Sequence, residues 1–318
     1  MERKNNWKGW LYLAPVLILM LVFTFWPLVN TFIVSFRKVY EIDAQKGYIA
    51  EGWTLSNYGK VLGLIPFKVE TTEWFGEVTT KKFYITEVIK YALPNTLILT
   101  FVTVPISIFV ALLIAVGLNS IKKLQKVFQT IFFMPYVTNS IAVGMVFSVI
   151  FAGHNGLWNS IFGLGEKYWV DMYATKSSAM IVLCIYIVWH ALPYKILILL
   201  SGLQNIDKQY YQAAQIDSAG KAKTFWRITV PLLSPQILYI MITSFIGAFK
   251  EYSSVVGLIG SNSLPSSQEK DMTTVVYFIY DNIKANTHFA CATAVILFVI
   301  IMIFTAVQFA VSKKRVHY

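Results

Sequence analysis

The sequence predicts an all-α integral membrane protein with six transmembrane helices and both termini in the cytoplasm. Three observations carry that expectation: an excess of apolar residues, their concentration in charge-free blocks, and a lopsided distribution of bases between those blocks. Of 318 residues, 56% are hydrophobic and 14% charged, and the mean hydropathy is +0.58. A soluble domain of this length needs more polar surface than that.

No Lys, Arg, Asp or Glu occurs in residues 9–36, 91–121, 127–165 or 285–312. Roughly 20 apolar residues cross the hydrocarbon core as a helix, so each block is long enough. Two further stretches are apolar apart from Lys195 (177–203) and from Lys250 and Glu251 (236–260). The expected spans are about 10–36, 92–118, 128–151, 178–203, 236–258 and 288–311. The first block follows basic residues as a signal peptide would. It is too long for a signal-peptide core and no small-residue cleavage site follows promptly, so it is expected to remain as a helix.

An even number of spans puts both ends on one side, and basic residues mark the cytoplasmic side. With the N-terminus inside, the cytoplasmic segments hold 13 bases and 3 acids, while the outer segments hold 12 of each. Nearly all of the net charge of +11 therefore falls on one side. Bases that flank apolar spans orient helices, which disposes of a nucleic-acid partner. Cys184 and Cys291 both fall inside spans, away from any disulfide or metal framework.

The organisation that follows is a tail and first helix (1–36), an outer segment (37–90), a five-helix core (91–311) and a basic tail (312–318). Segment 37–90 reads as a small cap or a long loop. His154, Asn155 and Gly156 mark a turn, and loop 259–287, rich in Ser, Gly and polar residues, reads as mobile. The core contains an unusual cytoplasmic loop, 204–235. There Asp207 is placed to cap a short helix over 210–216. Ser218, Ala219 and Gly220 break it, a second piece carries Phe225 and Ile228 on one face, and Pro231 and Pro235 precede the next span. The small Ala213 and Ala214 suit docking into a partner's groove; an amphipathic helix resting on lipid is the other reading.

The run Tyr211, Gln212, Ala213, Ala214, Gln215, Ile216, Asp217, Ser218, Ala219, Gly220, followed by Phe225, Ile228, Pro231 and Pro235, resembles the EAA loop of binding-protein-dependent ABC importer permeases. The branch it is similar to is the carbohydrate-uptake one, of maltose and glycerol-phosphate type, and its first-permease form. Leu55–Tyr58, Asn95-Thr96, Met134-Pro135 and Gly156–Asn159 agree with this. The resemblance implies the type I importer permease fold in a bacterial cytoplasmic (inner) membrane. It further implies a homologous second permease, two ATP-binding subunits and an extracellular or periplasmic solute-binding protein. Surrounding lipid and a carbohydrate substrate complete the partners.

In that reading Tyr211, Gln212, Ala213, Ala214, Asp217, Ser218 and Gly220 couple to the ATPase. Gln212 stands where the family has Glu, so it offers a neutral contact in place of a charged one. Ser218 stands where the family has Gly, and Gly220 is expected to take over the bend. The chain has no G-x-x-x-x-G-K-[ST] phosphate loop, so it is no ATPase by that route, and ATP and Mg belong to the partners. It carries no enzyme motif and needs no cofactor of its own.

Ionisable groups inside a span are costly and usually line cavities. His190, Tyr194 and Ala191, Lys195 form two ridges in the fourth span; Ser244, Gly247, Ala248 and Glu251 share a face in the fifth. By resemblance, Ala191, Tyr194, Ser244, Gly247, Ala248 and Glu251 match positions that line the family's sugar site. There Glu251 replaces an amide and Gly247 a bulky aromatic, which enlarges the cavity. Lys195 and Glu251 either pair, with snorkelling of Lys195 as a variant, or Lys195 and Lys250 attract an anionic sugar such as a uronate. The alternative function is a stand-alone secondary transporter or channel using Lys250 and Glu251 for ion coupling. Against it, the sequence shows no inverted repeat and no visibly broken helix.

Overall fold

The computed structural model describes residues 6–43, 47–66, 68–74, 77–83, 86, 88–121, 125–171, 173–260 and 272–312. They fall into two compact units, one drawn from 1–89 and 278–299, the other from 90–277 and 300–318. The expected basic C-terminal tail and the centre of loop 259–287 lie outside the described residues.

In the first unit, helix α1 (Gly9–Ser35) is long and apolar enough to cross a membrane, and none of its most apolar window is buried within the chain. Exposed Trp10, Phe23 and Trp26 give it a surface suited to hydrocarbon. The all-α expectation needs correction in the segment after it. Strands β1 (Arg37–Asp43) and β2 (Gly47–Trp53) form an antiparallel hairpin, as do β3 (Lys68–Trp74) and β4 (Glu77–Phe83). Each of β3 and β4 holds one Val and two Thr, β-branched residues that favour strands. Between the hairpins, helix α2 (Ser56–Val61) ties down the end of α1. Asn57 Nδ2 donates to the Ser35 and Arg37 carbonyls at 3.0 and 2.8 Å, and the Ser35 and Tyr58 hydroxyls lie 2.6 Å apart.

In the second unit, α3 (Val88–Ser120) runs along α7 (Lys176–Gln204). Ala111, Leu112, Ala115 and Leu118 of α3 share a buried cluster with Ile196, Leu199, Leu200 and Leu203 of α7. The expected span 128–151 is not one helix. It breaks into α4 (Gln125–Val137) and α5 (Ser140–Ile150), bent by 98°. Thr138, Asn139 and Ser140 interrupt the apolar run. Asn139 is extended (φ −63°, ψ 125°), and its Oδ1 accepts from the Ile141 and Ala142 amides, capping α5. A short helix, α6 (Leu157–Phe162), follows the Asn155 turn, where φ is +56°.

The expected span 236–258 also breaks. Beyond α7 lie α8 (Lys208–Ile216) and α9 (Lys221–Leu232), then α10 (Ser234–Phe249) at 66° to α9. Helix α10 stops at Phe249, and Glu251 Oε1 accepts the Ser254 amide at 3.0 Å as the chain restarts in α11 (Ser253–Ile259). Helices α12 (Val275–Asn282) and α13 (Thr287–Ser312) complete the chain, so the described end of loop 259–287 is helical rather than open loop.

Three widened π turns, Leu21–Phe25, Val88–Ala92 and Phe225–Thr229, each end two residues before a proline: Pro27, Pro94 and Pro231. A proline lacks the N–H and crowds the carbonyl four residues earlier. Widening that turn relieves the clash without ending the helix.

Candidate functional site

A cavity of about 290 Å³ opens in the second unit between α3, α4, α7 and α10. Helix α7 supplies Ile187, His190, Ala191, Tyr194 and Lys195, and α10 supplies Thr243, Ser244, Gly247 and Ala248. Glu251 closes one end from the break after α10. On α3, Thr96, Thr100, Thr103 and Ser107 recur at helical spacing, all buried, and the last two reach the cavity wall.

The polar groups are held in defined places. The Lys195 ammonium, on a residue only 4% exposed, donates to Ser107 Oγ. Tyr194 and Tyr239 hydroxyls lie 3.0 Å apart, and Tyr136 stacks on Tyr194 with ring centroids 5.9 Å apart. A Cβ added at Gly247 meets no atom within 4 Å, so the wall there is open space. The surface combines aromatic rings with hydroxyls and two opposite charges, groups that can stack against a ring and exchange hydrogen bonds.

The pairing of Lys195 with Glu251 expected from sequence does not form. Lys195 is tied to Ser107, Glu251 accepts from the Ser254 amide, and no ion pair joins them among the described residues. Nor does Lys195 snorkel, being buried. Lys250, the exposed C-cap of α10, is absent from the cavity wall.

The second feature is α8. Asp207 Oδ1 accepts the Gln209 amide at 2.9 Å and caps it. Its C-terminus closes with Ser218 left-handed at φ +54°, while the Ser218 and Ala219 amides donate to the Gln215 and Ala214 carbonyls at 3.0 and 2.9 Å. That is a Schellman closure with Ser218 in the seat glycine favours. Gly220 does not take over the bend. It is extended, at φ −65° and ψ 153°, and starts α9. One face of α8 turns inward: Ala214 is buried, and the Tyr211 hydroxyl lies 3.3 Å from Thr229 Oγ1. Gln212, Ala213, Ile216 and Asp217 face outward, Ile216 being 85% exposed.

Residues 104–317 match the family described as the binding-protein-dependent transport system inner membrane component. The chain belongs to that family.

Among curated relatives, the arabinooligosaccharides transport system permease protein AraP of Bacillus subtilis is 29% identical over 95% of this chain and 88% of its own length. The multiple sugar-binding transport system permease protein MsmF of Streptococcus mutans is 28% identical over 98% and 97%. The sn-glycerol-3-phosphate transport system permease protein UgpA of Agrobacterium fabrum is 26% identical over 99% and 97%. The fold is similar to that of a chain in the crystal structure of a bacterial ABC transporter that imports the acidic polysaccharide alginate. That likeness has a TM-score of 0.76 at 17% identity, covering 98% of this chain and 96% of the other.

In this inner membrane component, the structure brings Ala191, Tyr194, Lys195, Ser244, Gly247, Ala248 and Glu251 to one wall and leaves Lys250 out. Sequence reasoning missed Thr103, Ser107, Tyr136 and Thr243. The polar stripe from Thr96 to Ser107, inside a charge-free block, was the signal available for the first two. Tyr136 had none, because only the break before α5 sets where α4 ends.

Proposed function

We propose that this chain is the transmembrane permease subunit of an ATP-driven importer that moves a carbohydrate by alternating access. The cavity between α7 and α10, with its aromatic and hydroxyl wall, is the observation that carries this reading. Six spans with both ends in the cytoplasm follow if each bent pair counts as one span, in keeping with the partition of bases. A second, homologous permease faces this one in a bacterial inner membrane, and an outer solute-binding protein delivers the solute.

Two ATP-binding subunits supply ATP and Mg, since no phosphate loop exists here. They dock on the outward face of α8, through Gln212, Ala213, Ile216 and Asp217, with Tyr211, Ala214, Ser218 and Gly220 shaping the helix behind that face. Closure of the ATPases pulls α8, which shifts the population between outward- and inward-open states. The cavity residues bind the sugar while those states exchange.

The two bent helix pairs are a feature that a stand-alone secondary transporter would also show, and the sequence alone did not reveal them. Membership in a binding-protein-dependent family outweighs that likeness. The deciding experiment is purification of the full chain with its co-expressed partners. A P-loop ATPase that co-purifies, and whose substrate stimulation disappears when residues 209–223 are deleted, supports the reading. Solute uptake by the chain alone, driven by an ion gradient, overturns it.

A further inference from the structure

The cavity wall carries two charges of opposite sign that the fold keeps apart. Lys195 is 4% exposed and Ser107 is 1% exposed, so the ammonium sits between α3 and α7, out of bulk solvent. Among the described residues its hydrogen-bond partner is one neutral hydroxyl. An ammonium has three donors, and a buried charge is costly unless it meets an opposite charge. Glu251 does not answer it; that carboxylate is engaged by the Ser254 amide at the far break. The other lining groups are hydroxyls, rings, small residues, the aliphatic Val104 and Ile187, and His190. The wall therefore offers one uncompensated cation beside hydroxyl partners.

We propose that Lys195 selects a substrate bearing a carboxylate, so that the imported carbohydrate is a uronate-type sugar. This rests on the carbohydrate reading above and adds the charge of the sugar to it. A single ammonium is a point charge of one unit, matched by a carboxylate. A phosphate, at about −1.5 to −2 near neutral pH, would leave excess negative charge in a wall that already holds Glu251. Glu251 then serves hydroxyls, as an acceptor, at the other end of the sugar. The Lys195–Ser107 contact fixes the ammonium from the α3 side and leaves its remaining donors for the ligand.

The test is equilibrium binding to the full complex in lipid nanodiscs, purified with its co-expressed partners. The probes are disaccharides that carry a single galacturonate, glucuronate or mannuronate residue, each paired with its carboxyl-reduced neutral counterpart, together with glucose 6-phosphate. For at least one pair the uronate is expected to bind roughly tenfold tighter. Lys195→Arg keeps that preference, whereas Lys195→Gln brings the uronate down to the affinity of its neutral partner. Neutral sugars binding as well as uronates overturn the proposal and leave the carbohydrate reading standing. Tighter binding of the phosphate ester overturns the carboxylate assignment. A panel in which no sugar binds overturns both readings together. The wild-type comparison alone decides the proposal should a Lys195 variant fail to fold.

Discussion

Gly144 of α5 and Gly257 of α11 touch backbone to backbone: a Cβ on Gly144 would lie 2.6 Å from the Gly257 carbonyl carbon, and one on Gly257 would lie 2.8 Å from the Ile141 carbonyl oxygen. Both helices are the second pieces of broken spans, and small residues let helices approach this closely. Gly144→Ala is expected to destabilise this contact by about 1–3 kcal/mol through overpacking. Thermal unfolding of the detergent-solubilised complex measures it. Gly117→Ala, whose Cβ meets nothing within 4 Å, is the control and should leave the melting temperature the same or slightly raised, as Ala favours a helix over Gly.

Gly247 has open space where a side chain would go. Gly247→Phe should therefore fold with little change in stability while filling the cavity and abolishing solute uptake. Uptake into proteoliposomes and a melting curve on the same sample check both halves. A variant that folds and still transports would remove this cavity from the pathway.

Ser218 holds the left-handed seat that ends α8. A side chain in that region costs about 1–2 kcal/mol, part of which a serine recovers through local hydrogen bonding. Ser218→Gly is expected to slow amide exchange at Ala219 several-fold by stabilising the closure, and Ser218→Val to speed it. Gly220→Ala should change nothing, since its backbone is extended and its Cβ would be free.

The outward face of α8 presents Gln212 beside the highly exposed Ile216. Substrate-stimulated ATP hydrolysis by the assembled complex should fall on Ile216→Asp by about tenfold, the loss expected of a buried apolar anchor. Tyr211→Phe removes only a 3.3 Å hydroxyl contact behind that face and should cost far less. Equal effects of the two changes would shift the docking surface elsewhere.

Asn159 sits buried under the turn at 152–156. Its Nδ2 donates to the Ala152, Gly153 and Lys167 carbonyls at 3.3, 3.0 and 2.8 Å, and its Oδ1 accepts from Trp169 Nε1 at 2.9 Å. Asn159→Ala strands several buried partners at once, and a loss of about 2–4 kcal/mol is expected. Limited proteolysis in the 152–172 loop reports it.

The positions of α1, α3, α7 and α13 were legible because long blocks with few or no charges leave a chain few alternatives in lipid. The breaks were not, because hydropathy averages over them. Thr138 to Ser140 is too short to lower a window, yet Asn139 caps a helix that turns by 98°. Much of the cavity was readable as ridges on α7 and α10, since helical spacing puts Ala191 near Lys195. The partner of Lys195 was not, because Ser107 lies 88 positions away on α3 and a hydroxyl gives no charge signal. In Leu55–Tyr58 and Gly156–Asn159 the sequence marked the spots and the structure supplies the reason: Asn57 and Asn159 hold carbonyls of other segments.

A π turn is an α-helix that has swallowed one extra residue, which rotates everything beyond it by about 100° relative to the helix before. The turn at Phe225–Thr229 sits between α8 and the cavity helix α10. Deleting a single residue there would let the turn revert to ordinary winding and absorb the missing length locally. Over generations, such a segment lets one end of the helix change its register without disturbing the other, so α8 and the cavity can diversify separately.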